Sequence, residues 1–505
     1  MNFWKSNPFR DKKFRYGSAA VVLVAAVLAC VVIFNVLLSL FTSHFGWYAD
    51  ISSSNLFEFS EESLAALDTL DSEKNKITVY YMTDKNTLSS TDYGKYVLGL
   101  TDELEKRYDF VEVKYFDNIK TDLFEVAAVY GEKKEYAESF ETLYANQGFT
   151  QGTMILRNDT YLLDENGDYQ LGITGEKQTD YRVSTFSITE LYSEPTYAFI
   201  GDFFLTGRIM SICQVNKTAY LLSGHGDIST NEDNDFGSAE LLADLLSCSG
   251  YTVKKHDLTK TDFSADAVKD AVAVVFSPRI DLSAGEIERL TAFVAAGGHV
   301  MVFTDGTYYR LDKLNAFLSD YGITVANAKI QSGADASLGD NGFMFAADVA
   351  WDNPILDGVR DRELKMVLSS SRLLSLDKTK GAEALLTPPA SYSLVGAETD
   401  KPENAAAVAI SSDASRGSVF VSGSTSLVST LIYSSSYNNR NLLLSALAGM
   451  GADSSLLNVD IKNLASDGLD LTKAEATAIS IIVAVLPAMI VTAIGIVIYV
   501  RRKRS

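Results

Sequence analysis

The stretch "AVAVVFSPRIDLSAGEIERLTAFVAAGGHVMVFTD", Ala271 to Asp305, decides the fold. Its two apolar runs, "AVAVVFSP" and "HVMVFTD", lack the polar alternation of a half-exposed strand, so both predict strands covered on two faces. The segment between them, Ser283 to Ala296, reads as a helix. Strand, helix and strand joined by short connections make a βαβ unit, and such units build parallel sheets.

The same alternation extends outward. Before the unit lie a strand at "AYLLSG" from Ala219, a helix from Ser238 to Cys248, a strand "YTVKKHDL" and a short helix near Ala265 to Asp270. After it, "AAAVAISS" and "GSVFVSGST" read as added strands and "NRNLLLSALAGMG" as a closing helix. Residues 191–455 are therefore expected to form a doubly wound α/β domain.

Closer to the amino terminus, Ser60 is placed to cap a helix opened by Glu61 and Glu62. A strand at Ile77 to Asp84, a helix at Tyr93 to Arg107 and a strand at Phe110 to Asp117 follow. Helical "DLFEVAAVYGEKKEYAESFETLYANQ" and strand-like "TMILRN" complete a first α/β domain at 51–190, loosely thioredoxin-like in order. It holds no cysteine, which excludes dithiol chemistry there.

The two ends have another character. Residues 17–41, "GSAAVVLVAAVLACVVIFNVLLSLF", carry no charge, and neither do residues 476–500. Each run suffices for a helix rising about 1.5 Å per residue to cross a hydrocarbon core of about 30 Å. A lipoprotein would turn polar after Cys30, whereas this run stays apolar, so the first span is expected to be an uncleaved anchor.

Basic tails at 1–16 and 501–505 place both termini in the cytoplasm by the positive-inside rule, and the middle of the chain outside the cell membrane. Each tail carries +4, so the rest of the chain carries −29 of the net −21, a balance that argues against nucleic acid as a partner. In the spans, Asn35 and the small-residue stripe Ala484, Ala488 and Thr492 are candidates for packing on other membrane helices. Residues 456–475 read as a linker to the second span.

Ligands of open α/β sheets gather at the carboxyl ends of strands. Three polar clusters fall there: Gly224, His225, Gly226 and Asp227 after the first strand, Ser277, Pro278 and Arg279 after the third, and Asp305 and Gly306 after the fourth. They define a candidate ligand or partner crevice. His225 is open to three readings: acid–base catalysis, binding, or turn structure. The acidic run from Gly226 to Gly237 lacks the EF-hand order. No Walker A loop occurs, so nucleotide hydrolysis would belong to another chain, and neither a metal nor a cofactor is implied. Cys248 reads as a packing residue among leucines.

"FEFSEESLAALDTLDSEKNKITVYYMTD", "AYLLSGHGD", "SPRIDLSAGEIERLTAFVAAGGHVMVFTDG", "LNAFLSDYGITV", "GSVFVSGSTSLVS" and "NNRNLLLSALAGMG", in this order between two membrane spans, resemble the GldG-like family of ABC-transporter auxiliary proteins. The resemblance is weakest over 131–181 and 340–402. It implies a two-pass subunit of a bacterial cell membrane working beside an ABC permease and a separate ATPase, with its large domain engaging cargo or an envelope partner.

The resemblance further implies a class I glutamine-amidotransferase-like second domain without catalytic activity. Asp305 stands near the position where such enzymes carry their nucleophilic cysteine, and Asp227 stands where family members often have glutamate. No catalytic residue is carried over. Two alternatives remain: a membrane-tethered hydrolase or amidase using His225, Asp227 and Asp305, and a ligand-binding sensor module.

Overall fold

The computed structural model describes residues 56–464, apart from 117–121, 163–167, 173, 226–236, 265–267, 414 and 453, together with residue 33. Both expected spans, including Asn35, Ala484, Ala488 and Thr492, lie outside the described residues. Among the described residues no helix is long and apolar enough to cross a membrane. The fold is mixed α/β.

Ser60 does cap α1 (Glu61–Leu67), its hydroxyl accepting from the Ser63 N–H. β1 (Ile77–Tyr81) and β2 (Val111–Tyr115) run parallel, joined through α2 (Lys85–Ser89) and α3 (Asp92–Arg107). The helical stretch that follows divides into α4 (Leu123–Tyr130) and α5 (Lys134–Ala145), because Gly131 turns the chain at φ 66°. β3 (Thr153–Tyr161) lies antiparallel to β1, and β4 (Thr179–Ser187) antiparallel to β3. The sheet order is thus β2-β1-β3-β4.

Two short strands, β5 (Tyr192–Ser193) and β6 (Ala198–Phe199), lead into α6 (Gly201–Cys213), which is buried along most of its length. The second sheet then begins. Its first elements are β7 (Lys217–Leu222), α7 (Ala239–Cys248), β8 (Tyr251–His256), β9 (Val272–Phe276), α8 (Ala284–Ala295) and β10 (His299–Phe303). α9 (Asp312–Asp320) follows.

Residues 323–413 then fold as an insertion. It contributes β11 (Ile323–Ser332), β12 (Met344–Val349), β13 (Met366–Ser369), β14 (Arg372–Leu376), β15 (Ala382–Thr387), β16 (Tyr392–Gly396), β17 (Ala405–Ala406) and β18 (Val408–Asp413). β19 (Arg416–Ser422), α10 (Asn439–Gly449) and β20 (Lys462–Asn463) close the described chain, so part of the stretch read as a linker is a strand.

The nine-stranded sheet has the order β13-β12-β15-β18-β19-β10-β9-β7-β8. From β19 to β8 all neighbours are parallel, and from β19 to β13 all are antiparallel. Counted along the chain, the parallel half reads 2-1-3-4-5. The insertion also makes a separate antiparallel sheet, β16-β11-β14-β17. The expected short helix near Ala265 to Asp270 is absent over 268–270, where Asp270 takes φ 58°; 265–267 lie outside the described residues.

Every residue of β9 and β10 is buried, which explains their unbroken apolar character. Alternate residues feed two cores. Val272, Val274, Met301 and Phe303 face the cluster containing Leu242 and Leu245 of α7, whereas Ala273, Val275, Val300 and Val302 face Leu290 and Phe293 of α8. Helices therefore cover both faces, and each fully buried large side chain contributes about 1.5–3 kcal/mol. α6 packs against α7 where Gly207 meets Cys248; a Cβ at Gly207 would stand 2.6 Å from that of Cys248. The first core continues into the four-stranded sheet, so both sheets share it.

Candidate functional site

Because β7, β9 and β10 are parallel, their carboxyl ends lie on one edge, where the turns 223–225, 277–280 and 304–306 follow them. In a 2-1-3-4-5 order the chain leaves neighbouring strands 1 and 3 in opposite directions, which opens a crevice between their ends. β7 and β9 are those strands. Two of the residues expected there, Gly226 and Asp227, lie outside the described residues, as does most of the acidic run beyond them.

His225 differs from the expectation that it faces the crevice. It is buried, and its Nε2 lies 3.0 Å from Glu286 Oε1, in the first turn of α8. An ionised carboxylate can only accept, so Nε2 carries the proton. The second Glu286 oxygen accepts from the Ser283 N–H at 2.8 Å, while the Ser283 hydroxyl accepts from the Glu286 N–H at 3.3 Å. This capping box starts α8, and a cap is worth about 1 kcal/mol.

Glu286 was not singled out in the sequence. A glutamate three residues after a serine signals a helix start, and here the same carboxylate also anchors the neighbouring turn. Burial alone would raise its carboxyl, but the Ser283 backbone and hydroxyl bonds, with His225, outweigh it and hold it below the usual glutamate value.

The His225 carbonyl accepts from Arg279 N–H at 2.8 Å and Ile280 N–H at 2.9 Å. The first two turns are thereby tied together through backbone. Arg279 itself is exposed, and its side chain makes none of these bonds. Gly224 takes φ 106°, the left-handed geometry that turns the chain toward His225.

Ser277 ends β9 at φ 48° although it carries a side chain, and it is fully buried. Strained non-glycine residues cost about 1–3 kcal/mol and cluster at functional sites. Its hydroxyl reaches Asp305 Oδ2 at 3.4 Å, and Asp305 Oδ1 accepts from the Thr307 N–H at 2.8 Å. The sequence places Ser277 in the polar cluster after the third strand but gives no sign of its bond to Asp305; the Pro278 after it is the only local signal of an unusual turn.

The edge thus presents two arrangements: a buried imidazole–carboxylate pair, and a serine–aspartate pair. Cysteine chemistry is not among its resources. Cys248 is buried and burial pushes its thiol up to about 12, as it does for Cys213. Among the described residues, no group of three or more histidine, cysteine or acidic side chains could hold a metal ion.

Residues 237–447 match a family described as "Domain of unknown function (DUF4350)". That match takes in α7 to α9, most of α10, two of the three strand-end turns and the whole insertion. A search of curated proteins finds no match.

Among solved structures, the chain is similar to the mmIFT52 N-terminal domain, at 18% identity over 46% of this chain and 96% of that one, with a TM-score of 0.35. It is also similar to an exo-beta-1,4-mannosidase from Opitutaceae bacterium strain TAV5, at 11% identity, covering 74% and 52% of the two chains with a TM-score of 0.30. A cytoplasmic protein from Salmonella typhimurium matches at 13% identity over 46% and 98%, with a TM-score of 0.27. Scores this low carry no functional argument.

Proposed function

We propose that the chain is a GldG-like auxiliary subunit of a bacterial ABC transport system, anchored in the cell membrane by two spans with both termini cytoplasmic. Its large extracytoplasmic region engages cargo or an envelope protein, while a permease and an ATPase on other chains supply transport and ATP hydrolysis. The observation that carries this reading is the way the residues leading toward the two expected spans are held together. β20 pairs with β6, Lys462 Nζ donates to the Glu58 carbonyl, and Asp202 Oδ2 accepts from the Ser60 N–H at 2.8 Å while lying 3.8 Å from Lys462 Nζ. Described residues on the way to both expected spans that lie side by side suit docking on a permease.

The finer fold reading belongs here as well. The order β2-β1-β3-β4 with an antiparallel third strand supports a thioredoxin-like first domain, 51–190. The parallel 2-1-3-4-5 order with helices on both faces supports a doubly wound, glutamine-amidotransferase-like second domain, 191–455. Asp305 at the end of β10, with no cysteine beside it, fits a non-catalytic version.

Extraction of the membrane in mild detergent is expected to bring down a permease and an ATPase with this chain, identified by mass spectrometry. A protein that is always recovered alone would overturn the reading. One observation favours a second reading, a membrane-tethered hydrolase: the strained Ser277 hydroxyl beside Asp305. Under that reading Ser277→Ala abolishes an esterase or amidase activity of the purified chain, and no such activity in the unaltered protein would dismiss it.

A further inference from the structure

The end of β10, the start of α9 and the first residue of β14 enclose a cavity of about 40 Å³, lined among others by Thr304, Asp305, Tyr308, Tyr309, Asn315 and Arg372. With a water occupying about 10–15 Å³ on this measure, the cavity holds about three or four waters or one small oxyanion, not a whole metabolite. Its mouth adjoins Tyr308, which is 44% exposed.

Arg372 is the unusual member. Only 3% of it is exposed, and it forms no ion pair among the described residues. Its Nε donates to the Ala326 carbonyl at 3.1 Å and its Nη2 at 2.5 Å. Those bonds have a structural purpose, since the β11–β14 register shifts between Val325 and Lys329 and leaves that carbonyl outside the ladder. The guanidinium also lies 4.6 Å from the centre of the Tyr308 ring. Its five N–H groups meet one carbonyl and one ring face, Nη1 makes no hydrogen bond among the described residues, and the side chain lines the cavity.

Burial holds the Arg372 guanidinium below its usual value, and Glu398 and Asp305 act on it only from a distance, with no direct ion pair; a buried cation so placed is costly, and a guanidinium is the side chain best suited to carboxylate and phosphate. The satisfied neighbours leave it little else to bind: Thr304 Oγ1 donates to the Ser422 carbonyl, and the Asn315 amide bonds both backbone groups of Val325. We infer that this cavity is a binding site for a small oxyanion, the carboxylate or phosphate group of a ligand whose remainder lies over Tyr308 and the open mouth. Asp305 stands on the rim and Asp312 also lines the cavity, repelling charges that keep the site weak and selective. The site does not depend on the transporter reading.

Binding is read on the full chain in detergent, by thermal denaturation at matched ionic strength with sodium phosphate, sodium acetate and sodium chloride. Phosphate or acetate is expected to raise Tm saturably above the chloride control, and the two arms tell which group is preferred. Asp305→Asn removes the rim charge and should tighten binding several-fold; Tyr308→Ala, an exposed change that leaves Arg372 in place, should weaken it several-fold. Arg372→Gln should abolish saturation if it folds, and the other two variants decide the matter if it does not. Equal, non-saturating responses to all three salts in the unaltered chain and in Asp305→Asn would overturn the site, as would saturable binding that neither rim variant changes.

Discussion

Two places on the same sheet edge make opposite use of charge. At the end of β7, His225 and Glu286 bury an imidazole and a carboxylate against each other, and the helix cap and the backbone of the next turn close around them. At the end of β10, Asp305 and Arg372 share a cavity without pairing, and an aromatic ring stands at its opening. The conspicuous histidine is the one sealed into structure. The arginine, from the start of a strand in the insertion, is the group with bonding capacity left over, so in this fold chemical conspicuousness and availability are separate properties.

The strongest way to break that contrast is to remove the sealed carboxylate. Glu286→Ala removes the glutamate half of the capping box and takes the carboxylate away from a buried histidine, a loss of about 2–4 kcal/mol. Urea denaturation at neutral pH measures it, and a loss under about 1 kcal/mol would mean that the pair is not a structural lock. The same carboxyl sits below its usual value in the folded chain, so its contribution is present at neutral pH and disappears as pH falls through that depressed value. Glu286→Gln should therefore narrow the stability difference between neutral and acidic solution.

A smaller effect is expected at the other pair. Ser277→Ala removes one long hydrogen bond and keeps the strained backbone, so it should cost less than about 1 kcal/mol, whereas Ser277→Gly relieves the left-handed strain and should recover part of that loss. Denaturation midpoints of the two variants sharpen the comparison; a loss of several kcal/mol from Ser277→Ala would show that this end of the edge is sealed too. The smallest change is Arg279→Ala, an exposed side chain whose removal should fall within about 0.5 kcal/mol. A larger shift would mean that the Arg279 side chain supports the fold as well as its backbone does.

The parallel half of the large sheet was legible because its signal is local: unbroken apolar strands, a serine to open α8, and short connections. The antiparallel half was not. β11 to β18 lie between two strands, β10 and β19, that pair with each other, and nothing in the run from Ile323 onward says which distant strand each will join. β11 carries a two-residue burial alternation, but alternation assigns faces, not partners.

The site followed the same rule. The turns could be placed from the ends of strands, yet the partner that decides what His225 does lies 61 positions away and looks, in sequence, like an ordinary first-turn glutamate. Arg372 reads as one more basic residue until the irregular pairing of β11 with β14 buries it. Local chemistry names the candidates, and long-range packing chooses among them.

β20 adds only two residues to a three-stranded sheet, yet it and Lys462 join the last described residues to the stretch around Glu58. A load applied along the chain from that side would meet this short ladder before it met the nine-stranded sheet. The ladder would then part first, as a fuse does, and leave the large sheet intact while β20 came away from the stretch around Glu58.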